Sequence, residues 1–269
     1  IYTEAVVKLS PDYLPRQIAN AHTLFNVALT LFFLPLLNPF ARLIEKILPG
    51  EPSKKKFQPE YLSEHYLKIS SLALEQARRE TIRMAEIVRD MVAKCYRVFR
   101  ERSKEMLNLL LLEDDKVDLL RDAITRYLTS LSELELSSKQ SRREVTLLRI
   151  VSKLEDIGDI VVREIMHFAS KMFSEGLYFS DEGFKQIKEY HSVVLRTVDD
   201  MVKVLKTGDL GLAQKLIDEK VKIVEMEKEY YRAHIARLHR GVQESFDTSR
   251  VHLDLMTNLR RINSHVVDI

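Results

Sequence analysis

Glu155 and Asp159 stand four residues apart, so a helix projects both carboxylates from one face, about one turn apart. Asp156 lies roughly 100° round that helix, and Glu164 a further turn or more along. Oxygens at this spacing suit a hard cation, or iron or zinc, provided another helix supplies the remaining ligands. Read structurally, the same pair is a polar seam between helices. The eight histidines make no ligand set. His234 and His239 are five apart, which misaligns them on a helix, and His252 and His265 are isolated. Each reads as a packing or surface residue. His22 sits with Asn20, Thr23 and Asn26 in an apolar stretch, where it could line a polar seam between membrane helices or make a structural hydrogen bond. A Gly-rich phosphate loop, a strand-turn-helix serine motif and a zincin helix are all missing, so the chain does not read as an enzyme.

The elements that must hold these residues are helices. The chain is 45% hydrophobic and 30% charged, with seven glycines, seven prolines and no tryptophan, a composition that favours long helices over sheets. Its 42 basic and 40 acidic side chains are interspersed, without the basic block that would announce nucleic acid. Cys95 is alone, which leaves no disulfide framework or cysteine zinc site and fits a reducing setting. The sequence starts at Ile1, and no charged segment precedes its apolar stretch, so it reads as part of a longer protein rather than as a signal peptide.

Ile18 to Leu37 is about the length of a membrane-crossing helix, and Val27 to Leu37 carries no charge. Pro35 should kink or end it. Arg42, Lys46, Lys54, Lys55 and Lys56 follow, against Lys8 and Arg16 before, which places the C-terminal side in the cytoplasm. A buried helix of a soluble protein is the alternative. Residues 1–48 thus read as the end of a membrane domain and 49–58, with Pro49, Gly50 and Pro52, as a linker. From 59 to 269 helix follows helix. The first carries Leu62, Leu67, Leu74, Met84, Val88 and Met91 at three-to-four spacing. The second starts near Ser103 and runs to about Glu135. A capping box at Ser141–Glu144 opens the third, which fades near Gly176. Ser180-Asp181-Glu182 opens a fourth, ending at Gly208. A fifth spans about Leu210 to Glu244, and a sixth begins near Asp247. Asp90-Met91-Val92 returns as Asp200-Met201-Val202, and Leu154–Ile160 returns, degraded, as Leu259–His265. Two offsets of similar size suggest a duplicated three-helix unit, about 59–176 and 180–269.

These residues resemble a known arrangement. The helical body resembles a PhoU domain, two tandem three-helix bundles whose third and sixth helices carry acidic metal motifs, and Leu154-Glu155-Asp156-Ile157-Gly158-Asp159 is similar to the Leu-Glu-Arg-Ile-Gly-Asp form of that motif. The stretch Gln17–Val27 resembles the final transmembrane part of bacterial sodium-dependent phosphate cotransporters, many of which carry a PhoU-like C-terminal domain. The resemblance implies an all-α fold, one transmembrane helix followed by the two bundles, in the cell (inner) membrane with residues after about 40 cytoplasmic. It also implies a regulatory role in phosphate transport, a divalent metal or iron at Glu155 and Asp159, and an upstream transporter domain as partner. A homodimer is a further expectation; nucleic acid is not. A soluble PhoU-type adaptor acting on a separate partner, and a helical scaffold unconnected with phosphate, remain open alternatives. The chain departs from the pattern in its second half, where Arg260 replaces the glutamate and Ser264 the aspartate. The Gln-Ser-rich repeats that bind sodium and phosphate in that family are absent here.

Overall fold

A computed structural model of the chain describes residues 2–9, 14–37, 39–40, 57–132 and 135–269, and no strand occurs among them. The chain divides into two compact units, Ile1–Lys56 and Phe57–Ile269.

The first unit contains α1 (Tyr2–Leu9) and α2 (Leu14–Phe33). Beyond Phe33 the chain tightens into one 3-10 turn, Leu34–Leu36, with Pro35 inside it; proline has no amide hydrogen to continue the α-helical ladder. Leu14–Leu36 is the described helix long and apolar enough to cross a bilayer, with mean hydropathy 1.4 and none of its most apolar window buried. It starts four residues before the expected Ile18. Thr23 and Thr30 donate their hydroxyls to the carbonyls of Ala19 and Asn26, at 3.0 and 2.8 Å. Each polar side chain is thereby satisfied within its own helix, as apolar surroundings require. Residues 49–56 of the expected linker, with Arg42 and Lys46, lie outside the described residues.

The second unit opens with an extended segment over α3 (Ser70–Glu101). Glu80 is fully buried and accepts the amides of Glu60 and Tyr61 at 2.8 and 2.7 Å. Arg83 completes the pairing at 2.7 Å and stacks over the Phe57 ring at 4.4 Å. Helix proper therefore begins at Ser70 rather than near 59. Leu62 and Leu67 come before it and still pack against the core. Along α3, Leu74, Ala77, Met84, Val88, Met91 and Cys95 turn inward. Burial pushes the Cys95 thiol up to about 12, so it is an inert packing residue.

Ser103 caps α4 (Lys104–Ser132), its hydroxyl accepting the Met106 amide. The capping box of α5 (Ser138–Asp159) lies one turn before the expected one: Ser137 and Gln140 satisfy each other's amides, and Ser141 and Glu144 are already inside the helix. Past Asp159 the backbone widens into a π turn, Ile160–Ile165, before α6 (Met166–Glu175). Ser180 caps α7 (Asp181–Thr207). α8 (Leu210–His239) stops short of Glu244 because Gly241 turns the chain at φ +74°, leaving a short α9 (Gln243–Asp247) before α10 (Ser249–Asp268). Helices α3, α4 and α5–α6 form one three-helix bundle, and α7, α8 and α10 the other. Helices in like positions meet across the junction, α3 against α7 and α5 against α10.

Candidate functional site

The acidic motif of α5 faces α4, which supplies partners from a turn of its own. Arg121 of α4 donates to Glu155 at 2.6 Å while also touching Asp118 at 3.5 Å and Asp122 at 3.0 Å. Asp159 pairs instead with Arg163, one turn along its own helix, at 2.9 Å. Between the two lies Gly158. A Cβ built there would stand 3.1 Å from Asp114 Oδ1, so the missing side chain lets Asp114 of α4 sit close against α5. Burial, then the negative charges of Asp118 and Asp159, push the Asp114 carboxyl up to about 6. Burial likewise raises Glu155, opposed by Arg121. The result is a half-buried acidic seam of Asp114, Asp118, Glu155 and Asp159 held by two arginines. The π turn starts directly after Asp159; such turns shift the register of everything that follows and recur at functional sites.

These residues do not fit a metal as arranged. Glu155 and Asp159 each hold a guanidinium, and among the described residues no three His, Cys, Asp or Glu side chains come together in a set able to hold one. What the seam offers is a cation-binding notch, filled by arginine, and a carboxyl poised to take up a proton.

Asp156 and Glu164 point elsewhere, toward the second motif helix. Asp156 lies 3.1 Å from Lys153 and 3.5 Å from His265 of α10, and Glu164 lies 3.6 Å from Arg261. These pairs tie the two motif helices together. Arg260, at the position equivalent to Glu155, pairs with Glu227 of α8 at 2.8 Å. Ser264, equivalent to Asp159, turns its hydroxyl back to the Arg260 carbonyl. Asn263 stands where Gly158 stands in the first half; it is buried and accepts the Thr197 hydroxyl at 3.0 Å.

His234 and His252, eighteen residues apart, stack at 4.7 Å between ring centres. The Arg237 guanidinium lies 3.3 and 3.4 Å from their ring nitrogens and donates to Gln186 at 2.7 Å. Arg237 is fully buried, and its Nε is one of two buried polar side-chain atoms without a partner among the described residues. Burial lowers the affinity of both histidines for protons, His252 down to about 3. His252 is therefore not isolated, nor is His265. Sequence spacing could not place Asp114, Asp118 or Arg121 at the motif; the signal available was that they lie three and four apart on a neighbouring helix, the spacing of Glu155 and Asp159 themselves.

The PhoU domain model matches residues 81–165 and 187–269. The chain belongs to the PhoU domain family. It is 30% identical over 244 residues to YjbB of Escherichia coli K12, described as a candidate inorganic phosphate export protein; the match covers 90% of this chain and 45% of YjbB. The chain thus spans about half the length of the curated relatives it matches. A PhoU homologue of Thermotoga maritima, described as an accessory protein of the phosphate-specific transport system, is 29% identical over 169 residues, 61% of this chain and 70% of that protein. Two solved structures share the fold. PhoU of Pseudomonas aeruginosa has a TM-score of 0.66 at 17% identity, covering 74% of this chain and 93% of that one. PhoU of Streptococcus pneumoniae has a TM-score of 0.64, also at 17% identity, covering 74% and 92%.

Proposed function

We propose that the chain is the C-terminal part of a sodium-dependent phosphate transporter, in which the PhoU unit regulates phosphate movement through helix contacts with the transport domain. The observation that carries this reading is that one chain holds both the apolar helix Leu14–Leu36 and the PhoU unit, and that a relative named for phosphate export matches 90% of it. The apolar helix is then the last membrane span and residues after about 40 are cytoplasmic. No catalytic step is assigned. The polar contact Asp156–His265 and the ion pair Glu164–Arg261, where the motif helices meet, are the contacts whose rearrangement would pass a signal between the bundles.

Deleting residues 58–269 from the full-length protein tests this reading with radiolabelled phosphate flux in membrane vesicles. Altered flux, or lost dependence on phosphate supply, is expected. Unchanged flux in both directions and unchanged regulation would sink it. A second reading, a PhoU-type adaptor serving a separate partner, draws on the Thermotoga relative, whose match covers 61% of this chain. Fractionation separates the two: retention in the membrane pellet after a high-salt wash supports the first, release to the supernatant the second.

A further inference from the structure

Two clefts of nearly equal size flank the contact between α3 and α7, one of about 620 Å³ and one of about 610 Å³. Their charges differ. The smaller is balanced: Glu86, Asp90 and Asp199 face Arg89, Lys203 and Lys206, with Lys206–Glu86 and Arg89–Asp199 paired at 2.6 Å. The larger is lined by Arg78, Lys139, Arg142 and Arg143 and, among the described residues, by no carboxylate. Glu75 stands behind it, 2.9 Å from Arg78 and 3.7 Å from Arg143. The side chains of Lys139 and Arg142 pair with no described residue. Among the described lining residues the cations stand without an acid, and Glu75 answers only Arg78 and Arg143 of the four.

The placement of these cations sharpens the point. Lys139 lies in the first turn of α5, and Arg142 and Arg143 one turn on, with no acidic residue in that first turn. A helix start is the positive end of the macrodipole, where anions are favoured and cations are not. It also carries backbone amides without helical partners, here beside the Ser138, Thr81 and Thr146 hydroxyls that line the cleft. Arg78 is held in place by the Leu205 carbonyl at 2.9 Å, so its guanidinium is already oriented. The rest of the lining is aliphatic, with Ile82, Ile150 and Val204 forming an apolar floor.

We infer that this cleft between the bundles binds an organic phosphate carrying at least two phosphate groups on an apolar or planar body, the chemistry of a nucleoside diphosphate. The volume is that of a small-molecule site. Cations and helix amides meet the phosphates, and the aliphatic floor takes the body. Because the cleft is walled by α3, α5 and α7, occupancy bridges the two bundles. The inference stands apart from the transport reading: a flux unaffected by deletion of the helical unit would leave the binding result as it was.

Titration calorimetry on the full chain in non-ionic detergent tests it with ADP, pyrophosphate and inorganic phosphate as separate probes. Saturable one-site ADP binding is expected. Lys139→Ala and Arg142→Ala should each raise Kd roughly tenfold, the worth of one charge-assisted hydrogen bond. Both residues are exposed, so circular dichroism should be unchanged. Lys203→Ala/Lys206→Ala, in the balanced cleft, should leave ADP binding unaltered. Absence of saturable binding overturns the proposal, as does an equal loss in the Lys203/Lys206 variant. Pyrophosphate or inorganic phosphate binding as tightly as ADP overturns the role given to the apolar floor.

Discussion

The two bundles share one plan and carry different charge at their motif seams. The first half gathers acids at its motif: Asp114, Asp118, Glu155 and Asp159 along the α4–α5 seam, with Glu155 and Asp118 against Arg121 and Asp159 against Arg163. Glu80, about three turns into α3, holds Arg83 and two backbone amides. The equivalent seam of the second half carries a cation instead. Arg260 and Ser264 replace the acids, and Arg237 is buried beside two neutral imidazoles with no carboxylate among the described residues within ion-pairing distance. Even the orphan atoms follow this division, an oxygen of Glu113 in one half and a nitrogen of Arg237 in the other. The shared plan sets where helices go, while the seam charges differ, with Arg121 answering Glu155 in the first half and Glu227 answering Arg260 in the second.

The largest expected break in this symmetry concerns the two fully buried ions. Glu80→Ala strands two amides and Arg83, and should cost about 3–5 kcal/mol in urea unfolding. Arg237→Met removes a cation that has no counter-ion and fills its volume with an apolar chain, so its effect should be near zero or stabilising. A loss of similar size at both positions would mean that the halves treat charge alike. Next in size is Gly158→Ala. The added methyl meets Asp114 Oδ1 at 3.1 Å, so that carboxylate must give by a few tenths of an ångström in a packed seam, at a cost of about 1–3 kcal/mol. Asn263→Ala at the equivalent point should cost about 1 kcal/mol, the worth of its hydrogen bond with Thr197.

The third comparison uses pH. Asp114 has a folded pKa raised to about 6, so the folded state holds its proton more tightly than the unfolded state does. Its contribution to stability therefore falls as pH rises from about 4 to about 6. His252 has a folded pKa lowered to about 3, so the unfolded state binds the proton more tightly, and stability is lost as pH falls from about 6.5 toward 3. Asp114→Asn and His252→Gln should remove slopes of opposite sign, each on the order of 1–2 kcal/mol once solvent screening is allowed for. Slopes of the same sign would contradict the burial assigned to one of the two groups.

Helix positions were legible in the sequence because apolar periodicity is a local signal, and α7 and the capped start of α4 lie where it put them, while α3 begins at Ser70 rather than near 59. Ends were less so. Gly241 stops α8 early because a left-handed turn there competes with an otherwise unbroken helical pattern. The box at Ser137 and Gln140 lay one turn from an equally good match at Ser141 and Glu144. The motif itself was visible, including the Arg260 and Ser264 departures. Its partners were not: Arg121 is 34 residues from Glu155, and the His234–Arg237–His252 cluster depends on how α8 and α10 turn against each other. Such contacts are properties of packing, which single-chain spacing does not encode.

The Glu80 clasp has a mechanical consequence. Two consecutive amides seat in one buried carboxylate just after the chain enters the helical unit at Phe57, and Arg83 locks the same carboxylate from behind while its guanidinium pins the Phe57 ring. Tension arriving along the backbone at Phe57 meets these contacts before it reaches the first turn of α3. A pull on the preceding segment is thus delivered to Glu80, about three turns into α3, a helix that touches both bundles, and not to a fraying end.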